Sequence, residues 1–301
     1  MLKNRERDII DLISDKFNKY IGDDCAVWDE RSLVVTTDHM CEGVHFDLSF
    51  MFPEAVGWRL MAANASDIIS MGSLPTHFLF NIAIPPDRLK TAERIIDGVK
   101  KFAGKYNIEI MGGDTTRAKN FMIGATMFGE KPAKPLLRSG AKPGDRVYLA
   151  DSTGLSHCGL LHLKNRSKGF ERSVEKFLFP SPFDSIPQNL NDINCAIDIS
   201  DSLISELKLI AEMSNVSIEI DYDRIPVEDE VLQTSEMFSI PVEKLVLGSG
   251  EEFILLFTSD KIIKNAFEIG TVTTKKEKDV KIFSKKSMLD LCDTALFSHF
   301  G

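Results

Sequence analysis

Apolar and polar residues alternate with two different periods along the first half of the chain. Spacings of three and four residues, as in Ile9, Ile10, Ile13 and Phe17, predict amphipathic helices, whereas short apolar runs predict strands. The predicted elements are a helix over residues 4–20, strands at 25–28 and 33–38, a helix from residue 53, a strand at 77–84, a helix over 88–106, and strands at 108–111 and 121–128. This interleaving predicts a mixed α/β first half.

The second half begins after a proline-bearing segment, Lys131 to Leu137, which we interpret as a linker. The predicted elements beyond it are a strand at 146–150, a helix over 154–164, an irregular stretch at 165–192, a strand at 195–199, a helix over 203–213, a strand at 216–220, a helix over 227–237 and a strand at 253–258. A chain of 301 residues is longer than one core usually covers. We therefore predict a two-domain α+β protein, with an N-terminal domain over residues 1–134 and a C-terminal α+β sandwich domain over 135–301.

Composition and charge exclude several classes of protein. Apolar residues make up 43% of the chain and charged residues 27%, as in an ordinary globular protein. The net charge of −9 argues against a general nucleic-acid binder, which needs a basic surface. No run approaches the ~20 apolar residues of a membrane span, and the charged N-terminus lacks the apolar core of a signal peptide. The five scattered cysteines favour reduced thiols, so we expect a cytoplasmic protein.

Oxygen-bearing side chains recur where predicted strands and helices meet loops. Each group has a glycine or a short hydroxyl residue beside it, which lets the backbone approach a phosphate or a hydrated metal closely. The groups are Asp23/Asp24, Thr36/Thr37/Asp38, Ser66/Asp67, Gly112/Gly113/Asp114 and Asp198/Ser200/Asp201. A single aspartate at such a place is more often a turn or helix cap, and Asp24, Asp145 and Asp201 are each open to that interpretation. Five groups in one chain favour a site for Mg²⁺ and phosphates, since Mg²⁺ prefers oxygen ligands.

Seven motifs follow one another between residues 20 and 260: IGDDCAV, TTDHMCEGVHF, NASDIISMGSLP, MGGDTT, RSGAKPGDRVYLA, AIDISDSL and GSGEEFILLFT. Their order and spacing resemble those of the thiamine-monophosphate kinase family, in the superfamily of aminoimidazole-ribonucleotide synthetase. Phe297-Ser-His-Phe300 resembles the C-terminal ending of that family, whereas the rest of residues 260–301 matches poorly. The sequence has none of the motifs G-x-x-x-x-G-K-[ST], H-R-D and D-F-G, which other kinases use to hold nucleotides.

The resemblance implies a kinase that transfers the γ-phosphoryl group of ATP to thiamine monophosphate with the help of several Mg²⁺ ions. It also implies a homodimer in which the sheet of the N-terminal domain pairs across the interface. The implied magnesium ligands are Asp23, Thr36, Thr37, Asp38, Asp67, Asp114, Asp198 and Asp201, of which Asp38, Asp67 and Asp198 also take the catalytic role. The implied ATP contacts are Gly113, Asp114, Arg138 and Ser200, and the implied substrate contacts are His45, Glu251 and Phe297.

Residue chemistry agrees with this implied reaction and leaves structural alternatives open. Phosphoryl transfer asks a protein mainly to position two polyanions and neutralise their charge, so no strong general base is required and His45 is not assigned as one. On chemistry alone His45 is equally a hydrogen-bonded structural histidine, and Arg138 a solvated linker residue. Likewise, Phe297 could be a core aromatic residue and Glu251 could belong to a charged pair on the surface. Thr36 could be an ordinary strand residue with no ligand role.

Two motifs depart from the usual family pattern. The usual Ser-Asp-Gly is Ser200-Asp201-Ser202 here, and Ser202 would strain the turn if the glycine supplies a positive φ. The usual Gly-Glu-Asp-Tyr-Glu-Leu is GEEFIL over residues 250–255, which loses a tyrosine hydroxyl and an acid. These changes keep open a non-catalytic regulator that binds Mg²⁺ and ATP. A selenophosphate synthetase-like enzyme or a carbamoyl dehydratase is the other alternative, and each would need a reactive cysteine.

Overall fold

The computed structural model describes residues 9–289 except positions 11, 14, 15, 18, 19, 188, 278 and 286. Its helices and strands, in chain order, are β1 (Ala26–Trp28), β2 (Leu33–Cys41), α1 (Pro53–Ser70), β3 (Pro75–Ile84), α2 (Leu89–Tyr106), β4 (Glu109–Arg117), β5 (Met122–Glu130), β6 (Arg146–Leu149), α3 (Leu155–Asn165), α4 (Glu171–Leu178), β7 (Cys195–Asp198), α5 (Leu203–Met213), β8 (Val216–Asp221), α6 (Asp229–Phe238), α7 (Val242–Gly248), β9 (Leu255–Ser259), β10 (Phe267–Thr274), β11 (Val280–Ser284) and β12 (Ser287–Met288). The predicted α+β architecture is confirmed, with one sheet in each half of the chain.

The first sheet has the strand order β1-β2-β5-β3-β4. Its pairs are antiparallel except β3 with β4, which run parallel. Helices α1 and α2 cover one face of this sheet, where Val34, Phe78 and Ile82 are buried. The two helices cross closely at Gly98, because a Cβ there would lie only 1.9 Å from the carbonyl oxygen of Glu54. The other face is more open: its residues on β2 and β3 are partly or fully exposed.

The second sheet has the strand order β12-β11-β8-β10-β6-β9-β7. A core of branched aliphatic residues, including Leu207, Ile218 and Leu256, lies between this sheet and its helices. Helix α1 of the first half also packs against β7 and α4 of the second half. The C-terminal part of α1 and the end of β7 are thereby brought together, and this junction positions the site described below. Among the described residues, no helix is both long and apolar enough to cross a membrane.

Several elements differ from their predicted extents. Helix α4 lies in the stretch predicted to be irregular, and α7 was not predicted. Strands β2 and β4 continue beyond their predicted ends at residues 38 and 111, because each is paired along its full length with a neighbouring strand. Aspartates 38 and 114 therefore lie inside strands, whereas the sequence placed them at strand ends.

The predicted N-terminal helix is described only in part. Residues 9, 10, 12, 13, 16 and 17 are helical, and the remaining positions from 4 to 19 lie outside the described residues. Its four periodic apolar side chains are exposed, from 43% at Ile13 to 75% at Phe17, so this face is not part of either core.

Candidate active site

Three aspartates from distant parts of the chain converge at the junction of the two halves. Asp24 precedes β1, Asp67 lies in the last turns of α1, and Asp198 ends β7. Each offers a carboxylate oxygen, and these oxygens lie within 4.8 Å of one another. Asp67 also accepts a hydrogen bond from Thr36 Oγ1 at 2.5 Å, which places β2 beside the same group. Since side chains alternate along a strand, Asp38 lies on the same face of β2 as Thr36.

Burial makes the negative charge of this cluster costly. Desolvation raises the pKa of Asp67 well above its ordinary value, and the charges of Asp38, Asp198 and Asp24 raise it further. Desolvation followed by the charge of Asp24 raises the pKa of Asp198 to about 8. Asp198 Oδ2 is buried and has no hydrogen-bond partner in the part of the chain that the structure describes. An unpartnered oxygen among mutually repelling carboxylates fits a hard divalent cation such as Mg²⁺.

Asp24 holds Arg138 rather than standing as a simple cap. Its Oδ1 accepts hydrogen bonds from Nε of Arg138 at 3.0 Å and from Nη2 of the same guanidinium, and its Oδ2 accepts one from Ser70 Oγ at 2.6 Å. Asp23 Oδ1 accepts a hydrogen bond from the backbone N–H of Arg138 at 2.8 Å. The side chain of Arg138 is 22% exposed, so Arg138 is not a solvated linker residue. Both aspartates of the IGDDCAV motif thus fix the start of the second half against the first.

Three of the implied ligands and nucleotide contacts lie away from the cluster. Thr37 Oγ1 donates to the carbonyl of Ala125 at 3.0 Å, on the face of β2 opposite to Thr36 and Asp38. Gly113 and Asp114 belong to β4, three strands from β2 in the sheet, and every residue of β4 is exposed. Gly113 is required by packing, because a Cβ on it would lie 1.7 Å from the carbonyl oxygen of Phe80.

The loop after β7 carries Ser200, Asp201 and Ser202. Ser200 and Asp201 are exposed beside the buried Asp198. Ser202, and not Asp201, is the N-cap of α5, because its hydroxyl accepts a hydrogen bond from the N–H of Ser205 at 3.2 Å. Its backbone is extended, with φ −176°, so the strain expected for a serine at this position does not exist. The serine is a good cap, and this departure gives no reason to expect an inactive protein.

The two remaining described substrate candidates have protein partners. His45 Nδ1 accepts a hydrogen bond from the N–H of Cys41 at 3.0 Å, in the turn after β2. Glu251 Oε2 lies 2.6 Å from Nη2 of Arg59, a fully buried arginine of α1. Phe297 lies outside the described residues.

The second departure from the family pattern also has a structural explanation. Glu252 is buried, and its Oε1 accepts hydrogen bonds from the N–H groups of Gly154 and Ser156 at the start of α3 and from Ser249 Oγ. Phe253 is buried in the core of the first half. Glu252 therefore stabilises the start of α3 within the second half, and Phe253 packs across to the first half without a tyrosine hydroxyl.

Sequence reasoning missed two residues of this region. Asp24 was open to interpretation as a cap, although its place directly after Asp23 in an acidic motif was a usable signal. Arg59 was not singled out, although a charged residue within the apolar run of α1 is unusual.

Cys25 is buried, and burial followed by the charges of Asp67 and Asp24 raises its pKa well above the ordinary value. A buried thiol with a raised pKa is not typical of the reactive cysteine that a selenophosphate synthetase-like enzyme would need.

Comparison with known proteins identifies the family. Residues 22–130 match the family described as AIR synthase related protein, N-terminal domain, and residues 142–283 match its C-terminal domain. The thiamine-monophosphate kinase of Pyrococcus horikoshii is 37% identical over 87% of this chain and 84% of its own length. That of Aquifex aeolicus is 34% identical over 88% of this chain and 90% of its own. The chain belongs to the thiamine-monophosphate kinase family.

Solved structures of this family share the fold. The structure described as AaThiL complexed with AMPPCP and TMP is 30% identical to this chain, with a TM-score of 0.86 over 96% of this chain and 97% of that one. A thiamine monophosphate kinase from Aquifex aeolicus is 28% identical, with a TM-score of 0.85 over 96% of this chain and 99% of that one. The hydrogenase maturation protein HypE in complex with ATP, at 18% identity and a TM-score of 0.67, is similar in fold alone.

Proposed function

We propose that this protein transfers the γ-phosphoryl group of ATP to the phosphate of thiamine monophosphate, giving thiamine diphosphate and ADP. The observation that carries the proposal is the convergence of Asp24, Asp67 and Asp198, whose oxygens lie within 4.8 Å of one another between the two halves. Relatives named thiamine-monophosphate kinase, one of them 37% identical over 87% of this chain, support the reaction. A structural neighbour in complex with AMPPCP and TMP supports the pair of substrates.

Mg²⁺ fits the residues at the junction. Asp38, Asp67 and Asp198 would hold it, with Thr36, Asp23 and Asp201 in the adjoining segments. The unpartnered Oδ2 of Asp198 and the raised pKa values of Asp67 and Asp198 support this assignment. When bound, Mg²⁺ would neutralise phosphate oxygens and stabilise charge on the attacking and leaving oxygens.

The residues of the chain would then position two phosphates for direct in-line transfer. Arg138, fixed by Asp24, would offer N–H donors to a phosphate of ATP, together with the exposed Ser200. The acceptor phosphate is ionised near neutral pH, so none of the carboxylates has to remove a proton.

The acceptor would extend from the carboxylate cluster along α1. Arg59 precedes Asp67 on α1 by about 12 Å along the helix axis. Because Glu251 is paired with Arg59, a phosphate held near Asp67 would place the thiamine rings toward Glu251. His45 in the turn after β2 is proposed as a further contact on the acceptor side.

We also propose a homodimer formed through the first sheet. Strand β4 is an edge strand of this sheet, and its Ile110 and Met111 are 62% and 64% exposed. Exposed apolar edge strands favour pairing with another chain. A second protomer that pairs with β4 and also packs across the open face of the sheet would cover Asp114 on β4 and Thr37 on β2, the implied ligands that lie away from the cluster. The domain division at residues 134/135 and the cytoplasmic location remain predictions.

Measurement of ADP release tests the proposed reaction. Purified protein is supplied with ATP, Mg²⁺ and one acceptor at a time: thiamine monophosphate, thiamine or selenide. We expect turnover with thiamine monophosphate alone, and a loss of at least about a hundredfold in Asp38→Asn with folding retained. Binding of ATP without turnover would instead indicate the regulator, and ATP consumption that depends on selenide would indicate the selenophosphate synthetase-like enzyme.

A further inference from the structure

We propose that Arg59 is a positioning residue for the acceptor substrate: it fixes Glu251 so that this carboxylate accepts hydrogen bonds from an amino-bearing ring. This role rests on the proposed function and adds the chemical feature by which the acceptor is selected.

Arg59 is held inside the protein by three contacts at one end of its side chain. It is 0% exposed and is the largest fully buried side chain among the described residues. Its Nη1 donates to the carbonyl oxygen of Phe177 in α4, and its Cζ lies 4.1 Å from the centre of the Phe177 ring. Its Nη2 lies 2.6 Å from Glu251 Oε2. The guanidinium is therefore fixed by α4, and it fixes Glu251 in turn.

Glu251 is held from the backbone side as well. Its φ is 54°, in the left-handed region that non-glycine residues rarely adopt. Its N–H donates to the carbonyl oxygen of Ser200 at 2.6 Å, which ties this residue to the loop after β7. Gly250 allows the close approach, because a Cβ on it would lie 2.3 Å from the carbonyl oxygen of Asp201. A strained backbone that neighbouring contacts hold in place is typical of functional sites.

The two partners of the ion pair differ in burial, and this difference points to a ligand. The Arg59 side chain is 0% exposed, whereas the Glu251 side chain is 33% exposed. The buried guanidinium thus stabilises a carboxylate that stays accessible from outside the core. Arg59 holds Oε2, so the other oxygen of this partly exposed carboxylate can accept hydrogen bonds from a bound molecule.

The surroundings of Glu251 favour a hydrogen-bond donor on that molecule. Arg59 compensates the charge of Glu251, so the pair as a whole is neutral. His157 in α3 lies close enough to feel Glu251, but burial followed by Lys164 lowers the pKa of His157 to about 4, so it is neutral near pH 7. Glu251 would therefore favour a ring whose amino hydrogens can donate to it. A phosphate ester without such hydrogens would leave the carboxylate oxygen of Glu251 without a hydrogen bond, and this loss would weaken its binding.

Steady-state kinetics on Arg59→Met, Arg59→Lys, Glu251→Gln and the double variant Arg59→Met/Glu251→Gln test this role. Arg94→Met is the matched control, because Arg94 forms an exposed ion pair with Glu54 on the surface, with Nε 2.9 Å from Oε1. We expect Arg59→Met to raise the KM for thiamine monophosphate at least about tenfold and the KM for ATP by less than about threefold. Arg59→Lys should raise the KM for thiamine monophosphate less than Arg59→Met does, because lysine keeps the positive charge. In the Glu251→Gln background, Arg59→Met should raise the KM no further.

Thermal melts are recorded in parallel to separate folding from positioning. If Arg59→Met does not fold, the two KM values are compared in Arg59→Lys and in the double variant instead. The double variant removes both charges together. Equal changes in both KM values, or additive effects of the two substitutions, would overturn the positioning role. Absence of turnover with thiamine monophosphate in the wild type would instead overturn the proposed function itself.

Discussion

Replacement of Asp198 by asparagine should raise the stability of the metal-free protein while it removes activity. Asp198 is buried beside Asp67 and Asp24, and its pKa is raised to about 8 by desolvation and by the charge of Asp24. In the metal-free protein this raised pKa lowers stability progressively as pH rises from about 4 to about 8, because the unfolded chain ionises first. An asparagine has no charge to bury, so the advantage of the variant should grow over the same range.

The expected size follows from the spacing of the carboxylates. Two charges no more than 4.8 Å apart repel by at least about 3 kcal/mol at an effective dielectric constant of about 20. Arg138 compensates part of the charge of Asp24, so we expect a gain of about 1–3 kcal/mol at pH 8. For a chain of this size that gain raises Tm by roughly 2–8 °C.

Differential scanning fluorimetry at pH 5.5 and pH 8.5, with EDTA or with Mg²⁺, measures this effect. In EDTA the Tm of the variant should be higher than that of the wild type at pH 8.5, and this difference in Tm should be smaller at pH 5.5. Mg²⁺ should raise the Tm of the wild type much more than that of the variant. A variant that is less stable than the wild type at both pH values, or that Mg²⁺ stabilises equally, would refute the electrostatic account.

Three further predictions concern other contacts. Asp24→Asn should raise the KM for ATP about tenfold, because Arg138 loses its charged acceptor. An unchanged KM for ATP in the ADP-release assay would show that Asp24 does not orient the Arg138 guanidinium. His162 is fully buried, and burial lowers its pKa, so the free energy of unfolding should fall as pH drops below about 6.5. Urea titrations should show that the free energy of unfolding of His162→Leu depends less on pH than that of the wild type. An identical pH dependence in the two proteins would contradict a lowered pKa for His162. Ile110→Lys should convert the dimer to a monomer in light scattering, whereas a wild type that is already monomeric would end the dimer proposal.

The sequence predicted most long elements, because their periodicity reflects one buried face. The helices α1, α2 and α5 were found where apolar spacing placed them. Strand β4 was cut short at Met111 in the prediction, because Gly112 and Gly113 disfavour strands locally. Pairing with β3 from His77 to Ile84 overrides that preference, and no local pattern encodes this pairing.

The sequence predicted part of the carboxylate cluster but not the contacts of its members. Asp67 and Asp198 meet as the aspartate-rich motifs indicated. The role of Asp24 depends on Arg138, which is distant in the sequence, so local rules left open whether Asp24 was a cap. Ser202 illustrates the opposite case, since family comparison suggested strain and the local helix-capping rule explains the residue fully.

Anomalous diffraction from crystals grown with Mn²⁺ and a non-hydrolysable ATP analogue tests the central claim most directly, because Mn²⁺ takes the same oxygen ligands as Mg²⁺. The account predicts a strong anomalous peak in contact with both Asp67 and Asp198, next to the terminal phosphate of the analogue. Bound nucleotide with no peak at these carboxylates, or peaks only elsewhere, would contradict it.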